Sequence, residues 1–471
     1  MSQRTITNFG RNVSFRPAIY AEPADEQELL ELLQSNPDVP IRVIASGHAW
    51  SDAIKTSGLL INLRNFDKVQ VSDDGSTAKV GAGCQIKHLV AELAKQDKTL
   101  LSSGLIDEQT VAGATATGTH GSGKNSLSQY IRSIRIAHFD TVGGDVKIST
   151  IAQPGDQLNA ARCSLGLLGV IIEVELDIRP AYRICEHSQR HRSLQQVLEA
   201  EHRYPLQQFF LMPWSWHWFG QHRVETDQPR SRLAGLYSVY WHFGIDWGLH
   251  LIILLMVKVL RFRFLIRAFY KMLLPISIIR NWKVVDQAPR ILTMQHELFR
   301  HIEIECFVKR SHLEDAIDRV KTIMGCFGGQ ATGPDFPVEL KGSYFHHYPI
   351  CIRRVLPDET LISMTASDGS GESIDWYAIS FISYEAPAKR EGFFGFAKFL
   401  ANDLAQRFNA RCHWGKYNPL DRATNARLYP QLDRFCAIAD EFDPEGRFRN
   451  SWLEAALFGD RQPKQRQGAG A

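Results

Sequence analysis

At 471 residues the chain exceeds the length of about 250–300 residues at which one hydrophobic core stops growing, so two domains are expected. Its 44% hydrophobic and 22% charged content is that of a soluble globular protein, and a net charge of +3 is too small for a nucleic-acid binder. The eight cysteines are scattered without C-x-x-C spacing, which argues against a zinc site and against a secreted disulfide framework.

No apolar signal core follows Met1, so an intracellular, cytoplasmic enzyme without a metal is expected. In chain order, residues 25–33 read as an amphipathic helix with acids in its first turn, where they complement the helix dipole. The largely β-branched run Ile41–Ile44 reads as a buried strand. It breaks into Ala45, Ser46, Gly47, His48, Ala49, Trp50 and Ser51. Gly47 can take backbone angles closed to other residues, and successive amides in such a turn form an anion-binding nest suited to a pyrophosphate. Strands are predicted at 59–63 and 78–82, and a helix at 86–95.

Residues 102–123 set five glycines among small and hydroxyl side chains, so a flat ligand could lie against the backbone there. The order is neither the G-x-G-x-x-G of a dinucleotide site nor the GK[ST] of a P-loop. Residues 170–178 form a half-buried strand that Pro180 should end, and the domain boundary is placed there. Beyond it lie aromatic clusters at 213–219 and 241–247 and strands at 301–308 and 378–384 that suit an antiparallel sheet. Glu303 and Glu305, two apart in a strand, share one face. The apolar run 249–257 is followed by Lys258, Arg261, Arg263, Arg267 and Lys271. It falls short of the ~20 residues of a membrane span. A pair of cap helices with solvated cations is expected, with peripheral membrane contact as the alternative. Residues 459–471 read as a disordered tail.

Together, 45–52 (A-S-G-H-A-W-S-D), 110–123 (T-V-A-G-A-T-A-T-G-T-H-G-S-G), 413–416 (H-W-G-K) and 443–450 (D-P-E-G-R-F-R-N) resemble the vanillyl-alcohol oxidase superfamily, in its aldonolactone oxidase branch. The resemblance covers roughly 12–180 and 410–458. It implies an α+β, two-domain flavin-binding fold: an FAD-binding domain at 12–180, an antiparallel-sheet cap at 181–409, and a segment at 410–458 returning to the flavin. The implied FAD contacts are the loop from Ala45 to Ser51, then Gly104, Thr110, Gly113, Thr117, Gly118, Thr119, His120, Gly121, Ser122, Gly123 and Ile171. In aldonolactone and alditol oxidases the histidine matching His48 bonds the flavin covalently, whereas relatives with a leucine there bind it without the bond, so the resemblance implies covalent FAD through His48. Lys416, walled by His413 and Trp414, would stabilise negative charge on the reduced ring or the substrate oxygen. An acidic residue in the matching strand selects Glu305 over Glu303 as the group that binds substrate hydroxyls or takes a proton. The chain departs from the family pattern there, with Cys306, Phe307, Val308 and Lys309 following.

The implied reaction is hydride transfer from a CH–OH carbon of an aldono-1,4-lactone to flavin N5, with oxygen or an electron-transfer protein as acceptor. An alditol oxidase and a decaprenylphosphoryl-ribose-type oxidase are alternatives, the latter opposed by His48. A flavin-binding protein without turnover is a reading from another class.

Overall fold

The computed structural model describes residues 4–140, 145–260, 262–294, 300–333, 335–367 and 374–459. Except for Gly459, the predicted disordered tail lies outside the described residues, as does Arg261. The first domain holds two sheets. Ile19–Ala21, Leu59–Asn62 and Ile41–Ile44 form a parallel three-stranded sheet. The helix Glu26–Gln34 starts where Asp25 accepts from the Glu28 amide, and it buries Leu29 and Leu33. The second sheet is antiparallel, with Ile131–Phe139 and Thr77–Gly81 on either side of Val170–Pro180. Pro180 closes that strand, and the chain passes directly into Arg183–His191 of the next sheet.

That next sheet is antiparallel and eight-stranded. Its order is Val284–Gln287, Arg183–His191, Trp218–Thr226, Gln208–Leu211, Ile350–Val355, Trp376–Ser383, Ile302–Lys309 and Arg411–Cys412. The helices Leu313–Phe327 and Glu391–Phe408 bury apolar faces in the same core as this sheet. The architecture is α+β, with a cap sheet as expected.

Two expectations need correction. Residues 102–123 are not extended backbone throughout: Val111–Ala116 is a short helix, started by Thr110, whose side chain accepts from the Gly113 amide and so outweighs the weak helix preference of Val, Thr and Gly. The apolar helix of the cap is also longer than the run read from 249. It spans Ala234–Leu260, 27 residues, enough by length and composition to cross a membrane. The aromatic run Trp241–Leu249 continues the helix in wide i→i+5 turns, so the earlier apolar residues join the later ones. A third of its most apolar stretch is buried in the protein.

The two domains meet at the end of the glycine segment. Gly123 donates its amide to Arg354 O at 2.7 Å, and Ser122 Oγ bonds Gln207 O. Gly123 has φ +73°, and a Cβ there would lie 1.9 Å from Pro205 O, so only glycine lets the backbones approach. Arg179 clamps Glu225 through two bonds of 3.0 and 2.9 Å.

Candidate active site

A cleft of about 1120 Å³, partly open to solvent, runs through the first domain. Of the expected cofactor contacts, Ala45 through Ser51, Thr110, Gly113, Thr117 and Ile171 line it. Gly47 turns the loop at φ +69°, and His48 stacks on Phe9 with ring centres 4.8 Å apart. Ser51 Oγ is buried in the cleft wall without a hydrogen-bond partner among the described residues. A hydroxyl left so is costly unless a ligand satisfies it. The loop conformation and this orphaned hydroxyl fit a bound dinucleotide.

The remaining expected contacts lie elsewhere. Gly104 packs against Thr119, and Gly118 against Met364. Gly121, Ser122 and Gly123 belong to the domain junction, and His120 points at the Glu305 carboxylate. Small residues were needed there for close packing between domains, and composition alone does not separate that need from ligand contact. Sequence reasoning missed Arg42, Leu165, Gly166 and Gly169 in the cleft lining. Gly166 and Gly169, at φ +69° and +131°, carried a signal as paired glycines just before a strand. Buried Arg42 donates to Ala53 O, Leu165 O and Phe448 O at 2.6, 2.7 and 2.5 Å. Burial lowers its guanidinium to about 10.

Where the cleft meets the cap, residues 413–417 cross the start of Ile302–Lys309. His413 N donates to Glu305 O and Tyr417 N to Glu303 O, both at 3.0 Å. This crossing brings Lys416 Nζ onto the Glu303 carboxylate and 4.4 Å above the Trp50 ring. Trp50 is fixed in turn by its indole N–H on His301 O, at 2.8 Å, and its amide on Gly415 O. Lys416, His413 and Gly415 line the cleft.

Glu305 sits deeper. Its Oε1 accepts from Arg353 Nη2 and Ser380 Oγ, each at 2.6 Å, and its Oε2 lies 3.4 Å from His120 Nε2. Burial alone would raise its carboxyl, but Arg353, then His120 and Lys416, outweigh it and hold Glu305 well below the usual carboxylate range. A carboxylate so held is a poor proton acceptor. His413 Nδ1 accepts from the Gly415 amide at 3.0 Å, and burial keeps its ring well below the ordinary histidine value, so the neutral ring carries its proton on Nε2. His120, Glu305 and His413 thus bring three buried ligand-type atoms within 4.8 Å, a grouping that spacing gave no sign of, with Arg353 bonded to the same carboxylate.

Residues 17–140 match the family model described as FAD binding domain, and residues 174–456 match that described as D-arabinono-1,4-lactone oxidase. The chain is 45% identical to a long-chain alcohol oxidase from an uncultured marine euryarchaeote, over 97% of each chain. It is 27% identical to L-gulono-1,4-lactone dehydrogenase of Mycobacterium tuberculosis, covering 94% of this chain and 96% of the relative. A crystal structure of cholesterol oxidase from B. sterolicum superposes with a TM-score of 0.78 over 97% of both chains, at 14% identity.

Proposed function

This chain belongs to the D-arabinono-1,4-lactone oxidase family, FAD-dependent oxidoreductases acting on CH–OH donors, and on that premise we propose that its donor is a primary alcohol on a long apolar chain. Lys416, which lines the cleft and is paired with Glu303 behind it, carries the reading that a hydroxyl is oxidised there. The relative at 45% identity supports the apolar chain. An aldono-1,4-lactone, the donor expected from the sequence, is the second reading, supported by the family model and the gulonolactone relative.

The bound flavin supplies the hydride acceptor. Residues of the loop from Ala45 to Ser51 would hold it, with Ser51 Oγ finding a partner there. Glu303 takes the hydroxyl proton, and the Lys416 ammonium stabilises the oxygen as negative charge develops. Glu305, locked by Arg353 and Ser380, keeps the strand and His120 in place. The cap and the 413–417 crossing exclude water, which strengthens these interactions.

Anaerobic bleaching of the yellow protein tests the donor, with 1-alkanols of increasing length set against aldonolactones and polyols. Bleaching that quickens with chain length is expected. Bleaching by lactones alone would return the donor to the second reading, and none by any CH–OH compound would leave a flavin-binding protein. Oxygen and an artificial dye added afterwards distinguish the acceptors.

We also propose that His48 bonds the flavin covalently, since its ring lines the cleft on the pyrophosphate loop. Mass spectrometry of the acid-denatured chain is expected to show the flavin attached, and His48→Ala to release it. Apoprotein mass from yellow wild-type protein would sink the linkage.

A further inference from the structure

We propose that the outward side of the cap helices, Ala234–Leu260 and 263–277, docks flat on an anionic lipid bilayer. Fifteen of the seventeen exposed large hydrophobic side chains among the described residues fall between Leu233 and Ile279. Phe243, Phe264, Met272 and Ile276 are 59%, 65%, 62% and 80% exposed. So many exposed apolar side chains gathered on one pair of helices are unusual on a soluble protein and mark an interaction site.

Charge chooses the occupant. Residues 232–283 hold eight Lys or Arg and one acid, Asp246, in a chain whose net charge is +3. Asp246 is buried, and burial raises its carboxyl to about 7, so it adds little negative charge to this side. Lys258, Lys271, Arg280 and Lys283 are exposed among the apolar residues. Apolar side chains interleaved with cations and without exposed acids match a surface of acyl chains and anionic headgroups. A second copy of this chain would bring the same cations against themselves.

The helix lies on the membrane and does not cross it. Ile253 and Met256 pack in one core cluster with Phe219, Tyr270 and Tyr384. His250 Nε2 bonds Tyr348 OH at 2.9 Å. Spanning would tear out this face and place Asp246 and His250 in hydrocarbon, where ionisable groups are costly. Docking leaves it intact. None of the exposed residues named above lines the flavin cleft, so docking is independent of the donor proposed above.

The test is flotation of the full-length, flavin-loaded protein with phosphatidylcholine vesicles, with and without phosphatidylglycerol. Flotation is expected with the anionic vesicles, and it weakens as salt shortens the Debye length to about 3 Å. Changing Lys258, Lys271, Arg280 and Lys283 to Gln should lower the partition coefficient about six-hundredfold, each cation being worth about fivefold near such a surface. Changing Phe243, Phe264, Met272 and Ile276 to Ser should abolish flotation while the flavin absorbance stays unchanged. Three results would overturn the proposal: no flotation with either vesicle, equal flotation with uncharged vesicles, or wild-type flotation by the serine variant. A dimer without lipid that the serine variant disperses would assign the face to a second copy and overturn it as well.

Discussion

Lys416→Met is expected to slow reduction of the bound flavin by on the order of a hundredfold while leaving FAD in place. The ammonium is poised on two anchors, the Glu303 carboxylate and the Trp50 ring, and both hold it at the mouth of the cleft. Removing one group that meets charge in a transition state typically costs about 3 kcal/mol. Glu303→Gln keeps the shape of the strand but removes the proton acceptor, so it should also slow reduction. Because the two side chains touch, the double variant should lose less than the product of the single losses. Anaerobic stopped-flow absorbance reads all three rates. A Lys416→Met protein reduced at the wild-type rate would make the lysine a structural cation.

The second large effect is on stability. Arg353→Met leaves Glu305 buried without its guanidinium, and breaking a buried ion pair from one side typically costs about 3–5 kcal/mol. Changing both, with Glu305→Gln added, removes the stranded charge and should recover most of that loss. The pH dependence has a definite sign. Because Glu305 is held below its unfolded value, its contribution is fully present above the unfolded carboxylate value of about 4.3. It is lost as pH falls through the lower folded value. The acid limb of the wild-type stability curve should therefore be steeper than that of Glu305→Gln. Urea midpoints across the acid range decide this, and parallel limbs would remove Glu305 from the account of acid stability.

The sequence was most readable where one local rule decides the outcome. A β-branched run stopping at Ala45 and Gly47 means strand and then turn, and Asp25 before an acidic first turn means a helix start. It was least readable where meaning depends on a distant segment. Gly113 and Gly123 look alike in the chain, yet one lines the cleft and the other meets Pro205 of the cap. Glu303 and Glu305 share a strand face, and only Lys416 and Arg353, far along the chain, separate a carboxylate paired with a cleft-lining lysine from one locked by a buried arginine. Arg42 reads as an interruption of a buried strand. Its carbonyl partners at Leu165 and Phe448 give it a reason that no local pattern carries. The cap helix was misjudged because aromatic and glycine residues at 241–249 broke the apolar count without breaking the helix.

The crossing at 413–417 also sets an order of events during synthesis. The ribosome adds about 5–20 residues per second and domains tend to fold from the N-terminus, so the loop from Ala45 to Ser51 emerges well before Lys416 does. Until then Trp50 lacks the Gly415 carbonyl, Arg42 lacks Phe448 O, and the edge strand Arg411–Cys412 has not joined the sheet. A nascent chain can therefore present the flavin loop but not a closed cleft. Closure of the cleft becomes a late, near-final step of biogenesis, and a chain truncated before 410 would hold neither the lysine nor the wall contributed by residues 413–416.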